Sequence, residues 1–169
     1  MTVNPMNVIL LIADSLKFIF PAYCANATPV LAGGGTCMDF GKNFFDGKRV
    51  FGNNKTFRGF SFGLVIGVIV GLMDAALFHF PILFAFLIPL GALVGDLVGA
   101  FSKRRMGIEP GGLLPVVDQV DFAVGAIVFS IPLGIMSWQL AVTVLLITPP
   151  IHLLTNFFAY KMKLKKNPW

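Results

Sequence analysis

Charge is scarce in this sequence, with 12 % of its residues charged, about half the share of an ordinary soluble domain. With 56 % hydrophobic residues and a mean hydropathy of +0.82, the 169-residue chain is too apolar to fold as a water-soluble globule. It reads as an integral membrane protein. Cysteine is scarce too. Cys24 and Cys37 show neither zinc-ligand spacing nor a CxxC pair, and two cysteines build no disulfide framework. Both read as packing residues, with a bond between them left open. No Lys or Arg precedes Lys17, so the charged leader of a signal peptide is missing and the first apolar segment is expected to be retained. Nucleic acid is not an expected partner despite the net charge of +5, because no basic run is interleaved with aromatics in a soluble module. The cations lie between apolar spans, a placement that suits anionic lipid or nucleotide phosphate.

A helix crossing the hydrocarbon core needs about 20 apolar residues. On that rule the chain is an all-α integral membrane protein of five transmembrane helices, at about 6–23, 59–80, 81–101, 118–135 and 138–160, in a single domain over 1–169. Pro81 marks the turn between the second and third spans, and Pro132, Gly134 and Ser137-Trp138-Gln139 divide the last two. Two loops, about 24–58 and 102–117, carry Lys42, Lys48, Arg49, Lys55 and Arg58, then Lys103, Arg104 and Arg105. Lys161, Lys163, Lys165 and Lys166 follow the last span. Every cation except Lys17 thus falls on one face, cytosolic by the positive-inside rule, with the N-terminus outside and the C-terminus in the cytosol. The opposite face, with short turns near His79 and Trp138, is expected to be too small for a site.

Gly59, Gly63, Gly67 and Gly71 repeat every fourth residue on the second span, as do Gly91, Gly95 and Gly99 on the third. Such faces let helix backbones approach closely. Packing between these two hairpin helices is preferred over a homodimer interface, which stays open. Pro149-Pro150 is expected to kink the last span, and His152 to be a packing residue rather than a ligand.

Asp14, Lys17, Asp74 and Asp96 lie inside spans, where an ionisable group is costly unless paired or wetted. Asp14 and Lys17 either neutralise each other at i, i+3 or contribute to a site; Asp74, far from the cationic face, is expected to be structural. Asp96 precedes Lys103 by two helical turns, and Asp118 and Asp121 share one side of the first turn of the next span. One acid there explains a helix N-terminus; two, facing Asp96 and a basic triplet, point to a site. Three carboxylates beside cations at a membrane surface suit Mg²⁺ bound to a substrate's phosphates, and such ions stabilise attacking and leaving oxygens in phosphoryl or nucleotidyl transfer. In the first loop, Gly33-Gly34-Gly35 is not a Walker A and more simply supplies flexibility. Lys55-Thr56-Phe57-Arg58-Gly59 sets a cation and a hydroxyl at the mouth of a helix, suited to an anion or to anionic lipid heads.

Taken together, Asp14-x-x-Lys17-x-x-x-Pro21-Ala22-Tyr23-x-x-Asn26-x-x-Pro29-Val30, Asp39-x-Gly41-Lys42 through Asp46-Gly47, Gly52-x-x-Lys55-Thr56-x-Arg58-Gly59, and Gly95-Asp96 through Asp121 resemble the CDP-archaeol synthase family over nearly the whole chain. More remotely the chain is similar to phosphatidate cytidylyltransferases. Ser102-Lys103-Arg104, Gly111-Gly112 and Asp118-Gln119-Val120-Asp121 echo their signature, while Glu109-Pro110 stands where Lys-Asp is expected and Gln119 replaces an Arg. The resemblance implies cytidylyl transfer from CTP to the phosphate of an isoprenoid ether-linked glycerol phosphate, giving a CDP-activated lipid and pyrophosphate. It implies Asp96, Asp118 and Asp121 as Mg²⁺ ligands and catalytic residues with Lys103. It further implies Lys42, Asp46, Lys48, Arg49, Lys55, Thr56, Arg58 and Arg104 for nucleotide and phosphate, and Asn26 and Lys17 for the lipid phosphate. A small ion- or proton-coupled transporter is the competing expectation, motivated by the intramembrane acids; no inverted repeat supports it. A CDP-alcohol phosphotransferase ranks lower, because its Asp-Gly-x-x-Ala-Arg motif is absent.

Overall fold

The computed structural model describes residues 5–32 and 34–164. Gly33 of the triple glycine and Lys165 and Lys166 of the terminal basic run lie outside the described residues. The chain folds into helices α1 (Pro5–Ala27), α2 (Pro29–Ala32), α3 (Phe57–Phe78), α4 (Phe84–Arg105), α5 (Val117–Ser130) and α6 (Trp138–Lys161), with a 3₁₀ turn, Ile131–Leu133, after α5. Among the described residues there is no strand, only the isolated bridges Cys37–Thr56 and Asn43–Arg49 that fold the first loop on itself.

Local chemistry sets the helix ends. Thr56 caps α3, its hydroxyl accepting from Gly59 N at 3.1 Å, and Ser137 caps α6 by accepting from Leu140 N at 3.2 Å; each satisfies an otherwise orphaned donor of the first turn. α3 stops where His79 turns left-handed at φ 60°, just before Pro81. α4 ends on Lys103, Arg104 and Arg105, three cations at the negative end of its dipole. The Thr56 hydroxyl, expected to meet an anion, uses only an acceptor lone pair in this cap and keeps its O–H as a donor.

Among the described residues, four segments are long and apolar enough to cross a membrane: Asn7–Ala32, Phe57–Phe78, Phe84–Arg105 and Trp138–Lys161. The expected fourth span is shorter. α5 has 14 residues, about 21 Å of helix against a hydrocarbon core of about 30 Å. Pro132 tightens the chain into 3₁₀ geometry and Gly134, at φ 65°, ends it. The first span is longer than expected, running past Tyr23 through α1 into α2.

Both glycine faces are used inside the chain, on different partners. Gly63 and Gly67 of α3 lie against Ala25 and Pro29 of α1–α2 and against Leu93 and Pro89 of α4, and Gly71 lies against Ala85. The α4 glycines do not return this contact: Gly91, Gly95 and Gly99 face Gly125, Phe129 and Asp121 of α5. Hairpin packing thus holds for α3, whereas the second face serves α5. Phe18, Ile19, Phe84, Ile88, Phe122 and Val144 close the core where α1, α4, α5 and α6 meet, and large apolar side chains such as Ile9, Leu77 and Leu146 point outward, as lipid-facing positions do. His152 packs its ring on Phe122 at 5.7 Å. Cys24 and Cys37 are free thiols, so the bond left open between them is not formed.

Candidate active site

Asp39 organises the first loop. Its carboxylate is enclosed and accepts hydrogen bonds from the backbone N–H of Gly41 (3.0 Å), Phe51 (3.1 Å) and Gly52 (2.9 Å), and from Arg49 Nη2 (2.6 Å) and Nε (3.1 Å). Asp-x-Gly is a turn former, the acid bonding the backbone two residues on while glycine takes the left-handed conformation, here φ 78° at Gly41. Burial alone would raise the Asp39 pKa, but Arg49 and the three N–H donors outweigh it and hold the carboxyl well below the usual carboxylate range; its hydrogen bond in turn pushes Arg49 up. A carboxyl depressed in the folded state stabilises the loop fully above its unfolded pKa of about 4, and that contribution fades as pH falls below it. Asp39→Asn is accordingly expected to leave the loop open to limited proteolysis at every pH, whereas the wild-type loop opens only in acid. Equal protection of the two proteins at pH 7 would contradict this role.

The loop is clasped to the end of α4 by Arg105. That guanidinium lies over Phe44 at 5.0 Å and Phe101 at 4.6 Å, sits 3.1 Å from Asp46 Oδ2, and donates to the carbonyls of Lys48 (3.2 Å) and Arg49 (2.5 Å). Lys48 Nζ returns a bond to Arg105 O at 2.9 Å. Asp46, Lys48 and Arg49, expected to meet nucleotide or phosphate, thus have their charges engaged in holding the loop. Lys42 and Arg58 are exposed and make no ion pair among the described residues.

What the clasp positions is a knot of acids and lysines. Lys55, at the end of the loop, forms an ion pair with Asp96 of α4, 41 residues away. Lys103 meets Asp118 Oδ1 at 2.9 Å and also donates to Gly112 O at 3.3 Å, while Asp118 Oδ2 accepts from Leu114 N at 2.9 Å. Asp121 is set by α4–α5 packing: its Oδ1 accepts from Phe122 N at 2.7 Å, and its Oδ2 occupies the space a side chain on Gly99 would take. It lies within electrostatic reach of Asp96, Lys55 and Asp118. The expected constellation of Asp96, Asp118, Asp121 and Lys103 is brought together, and Lys55 joins it. No group of three or more acidic, His or Cys side chains converges into a ready-made metal site among the described residues. Two carboxylates with oxygens from a phosphate-bearing substrate nevertheless meet the usual needs of Mg²⁺.

Beside the knot, residues of both loops enclose a cleft of about 440 Å³, with Arg49, Asn53, Arg104, Glu109 and Pro110 in its wall. Sequence reasoning missed this cleft, and the only local signal was Glu109-Pro110 departing from the wider signature.

Two expectations move elsewhere. Lys17 pairs with Asp14 at 2.8 Å and lies over the ring of Phe78 at 5.3 Å, at the far end of α3 from Lys55. α3 has 22 residues, which separates Lys17 from the knot by roughly 30 Å, so it cannot share a phosphate with these cations. The same end holds a groove of about 410 Å³ lined by Asp14, Lys17, Phe78 and Ser137, larger than short turns suggested. Asn26, by contrast, is half-buried next to Ala25, which packs on Gly63 and Gly67, in the half of the bundle nearer the knot. Asp74 is buried on α3 with Oδ2 making no hydrogen bond.

An apolar helical bundle of this kind, with long helices apolar enough to cross a bilayer, defines a multi-pass membrane protein. That architecture is shared with a solved intramembrane enzyme of archaeal membrane-lipid biosynthesis, 40 % identical, with a TM-score of 0.79 over 86 % of this chain and 94 % of that one. The chain belongs to the CarS-like family, the CDP-archaeol synthases, whose profile matches residues 7–169. It is 43 % identical over 164 residues to the CDP-archaeol synthase of Pyrococcus furiosus, covering 94 % of this chain and 98 % of that protein. It is 41 % identical over 173 residues to that of Methanocaldococcus jannaschii, with the same two coverages.

Proposed function

We propose that this protein transfers a cytidylyl group from CTP to the phosphate of an isoprenoid ether-linked glycerol phosphate, forming a CDP-activated lipid and pyrophosphate. The observation that carries the reading is the knot of Asp96, Asp118 and Asp121 with Lys55 and Lys103 at the basic end of the bundle, in a chain whose relatives are named for this product. An oxygen of the lipid phosphate attacks the α-phosphorus of CTP; the bond from that phosphorus to the bridging oxygen of the β-phosphate breaks, and pyrophosphate leaves with the electron pair. The nucleophile is already an anion, so no general base is needed, and catalysis consists of positioning and charge neutralisation.

Asp96, Asp118 and Asp121 would hold Mg²⁺, which when bound neutralises the phosphate oxygens. Lys55 and Lys103 balance two of these carboxylates and are the cations an entering triphosphate would meet beside them. The lipid tails remain among the helices, with Asn26 toward the lipid phosphate, while CTP enters from the loops. In this reading α5 and the turn after it complete a fifth crossing, and the basic end faces the cytosol.

Purified protein in detergent is expected to release pyrophosphate from CTP only when both an archaeal-type lipid phosphate and Mg²⁺ are supplied. Absence of turnover across several glycerolipid phosphates would overturn the reading.

A further inference from the structure

Phe45 is 99 % exposed, and the first loop holds it that way. Phe44 to Gly47 form a tight turn, closed by Gly47 N donating to Phe44 O at 3.0 Å with Gly47 at φ 77°, and Phe44 N donates to Lys48 O at 2.7 Å across its base. Arg105 fastens this turn to α4 through Asp46, 3.1 Å away, and through the ring of Phe44. The Phe45 ring is thus carried by a fixed element. Phe40, 66 % exposed, is a second such ring. Its backbone stands at φ 49°, a conformation costly for a bulky residue, and the bonds that Asp39 accepts from Gly41, Phe51 and Gly52 hold the chain there.

Both rings are level with the edge of the apolar bundle. Phe40 lies 5.3 Å from Phe57, the first residue of α3. Phe45 lies 5.0 Å from Phe44, which in turn lies 5.2 Å from Phe101 in the last turns of α4. Each of these two helices has 22 residues, about 33 Å of helix against a hydrocarbon core of about 30 Å, so Phe57 and Phe101 fall near the core boundary. Aromatic side chains gather at that boundary in membrane proteins. The patch also continues a surface that faces lipid, since Phe57 and Phe62 of α3 are themselves exposed. Between the two rings in sequence, Lys42 is exposed and its ammonium makes no ion pair among the described residues. A lysine among aromatic rings at this level matches a headgroup layer bearing negative charge, with the rings toward the acyl chains and the ammonium toward phosphate.

We propose that the tip of the first loop is a membrane anchor, in which Phe40 and Phe45 enter the bilayer surface at the basic end of the bundle and Lys42 meets an anionic lipid headgroup. The same loop brings Lys55 to Asp96, so the anchor holds the loop that completes the knot at the level of the bilayer surface. The inference needs only that the long helices span a membrane and is independent of the reaction proposed above.

The test uses the full chain with Trp138→Phe and Trp169→Phe, which remove the native indoles, and Phe45→Trp as the single reporter. Position 45 is almost fully exposed, so the larger ring is expected to fold in place. The protein is placed as one copy per disc in lipid nanodiscs, open to solvent on both faces, made of phosphatidylcholine with or without phosphatidylglycerol. Lipids brominated near the carbonyl end of their chains are expected to quench the indole at least about twofold, and aqueous iodide to quench it less than roughly half as well as free tryptophan. Phosphatidylglycerol is expected to strengthen the quenching by lipid, and Lys42→Gln to abolish that increase. Full quenching by iodide with no effect of brominated lipid would overturn the anchor. An indole shielded from both quenchers would overturn it too, marking a surface covered by protein instead. Quenching by lipid that ignores phosphatidylglycerol, or an increase that survives Lys42→Gln, would overturn the part given to Lys42.

Discussion

Asp118→Asn is expected to reduce pyrophosphate release by about 10³-fold, and Asp121→Asn by a similar factor, with both proteins still folded. The replacements are close in shape. An asparagine at 118 can still accept from Leu114 N, which Asp118 Oδ2 now does at 2.9 Å, but it no longer balances the Lys103 ammonium 2.9 Å from Oδ1. An asparagine at 121 can keep the bond from Phe122 N and lie in the space left by Gly99 while losing its negative charge. The change is therefore confined to charge at the point where the triphosphate and its counter-ions would collect. Rates and melting temperatures in detergent, measured together, check it. Near wild-type rates in both variants would remove the carboxylates from the reaction.

A second large effect is expected from the glycines of α4, and the two positions should fail differently. A methyl on Gly95 would overlap the Asp121 carbonyl oxygen and come within 3.0 Å of Gly125 Cα. Those are backbone atoms of a packed helix and cannot turn aside, so Gly95→Ala is expected to force α4 and α5 apart at a cost of about 2–3 kcal/mol. The melting temperature should fall clearly, and turnover with it, because α5 carries both Asp118 and Asp121. A methyl on Gly99 meets instead the Asp121 carboxylate, the movable end of a side chain. Gly99→Ala is expected to lose turnover at nearly native stability, by displacing that carboxylate from its place beside Asp96. Native stability in Gly95→Ala, or full activity in Gly99→Ala, would contradict the close α4–α5 approach.

Much of this site is legible locally. The i, i+3 spacing of Asp118 and Asp121, the cations closing α4 and the placement of Asp96 two turns earlier all follow from helical periodicity applied to apolar runs. The resemblance, not periodicity, assigned Lys17 to the lipid phosphate, although the charge pattern had set it apart from the other cations: α1 runs toward the basic end, and position 17 sits low on it, beside the end of α3. It also took the loop cations as a set. Asp39 and Arg105 divide that set, engaging Arg49 and Lys48 in the loop's own structure and leaving Lys55 and Lys103 on the acids.

Composition and spacing by themselves determined that this chain lives in a membrane as packed helices with acids and cations gathered at one end, since hydropathy and helical period are properties of neighbouring residues. Only the tertiary structure decided that Lys55 meets Asp96 across 41 positions, that α4 gives its glycine face to α5 rather than α3, and that Arg104 lies buried with unmatched donors beside Glu109. Each of these depends on how two helices or two loops register against one another. That register is set by packing summed over the whole interface and leaves no trace in any short stretch of sequence.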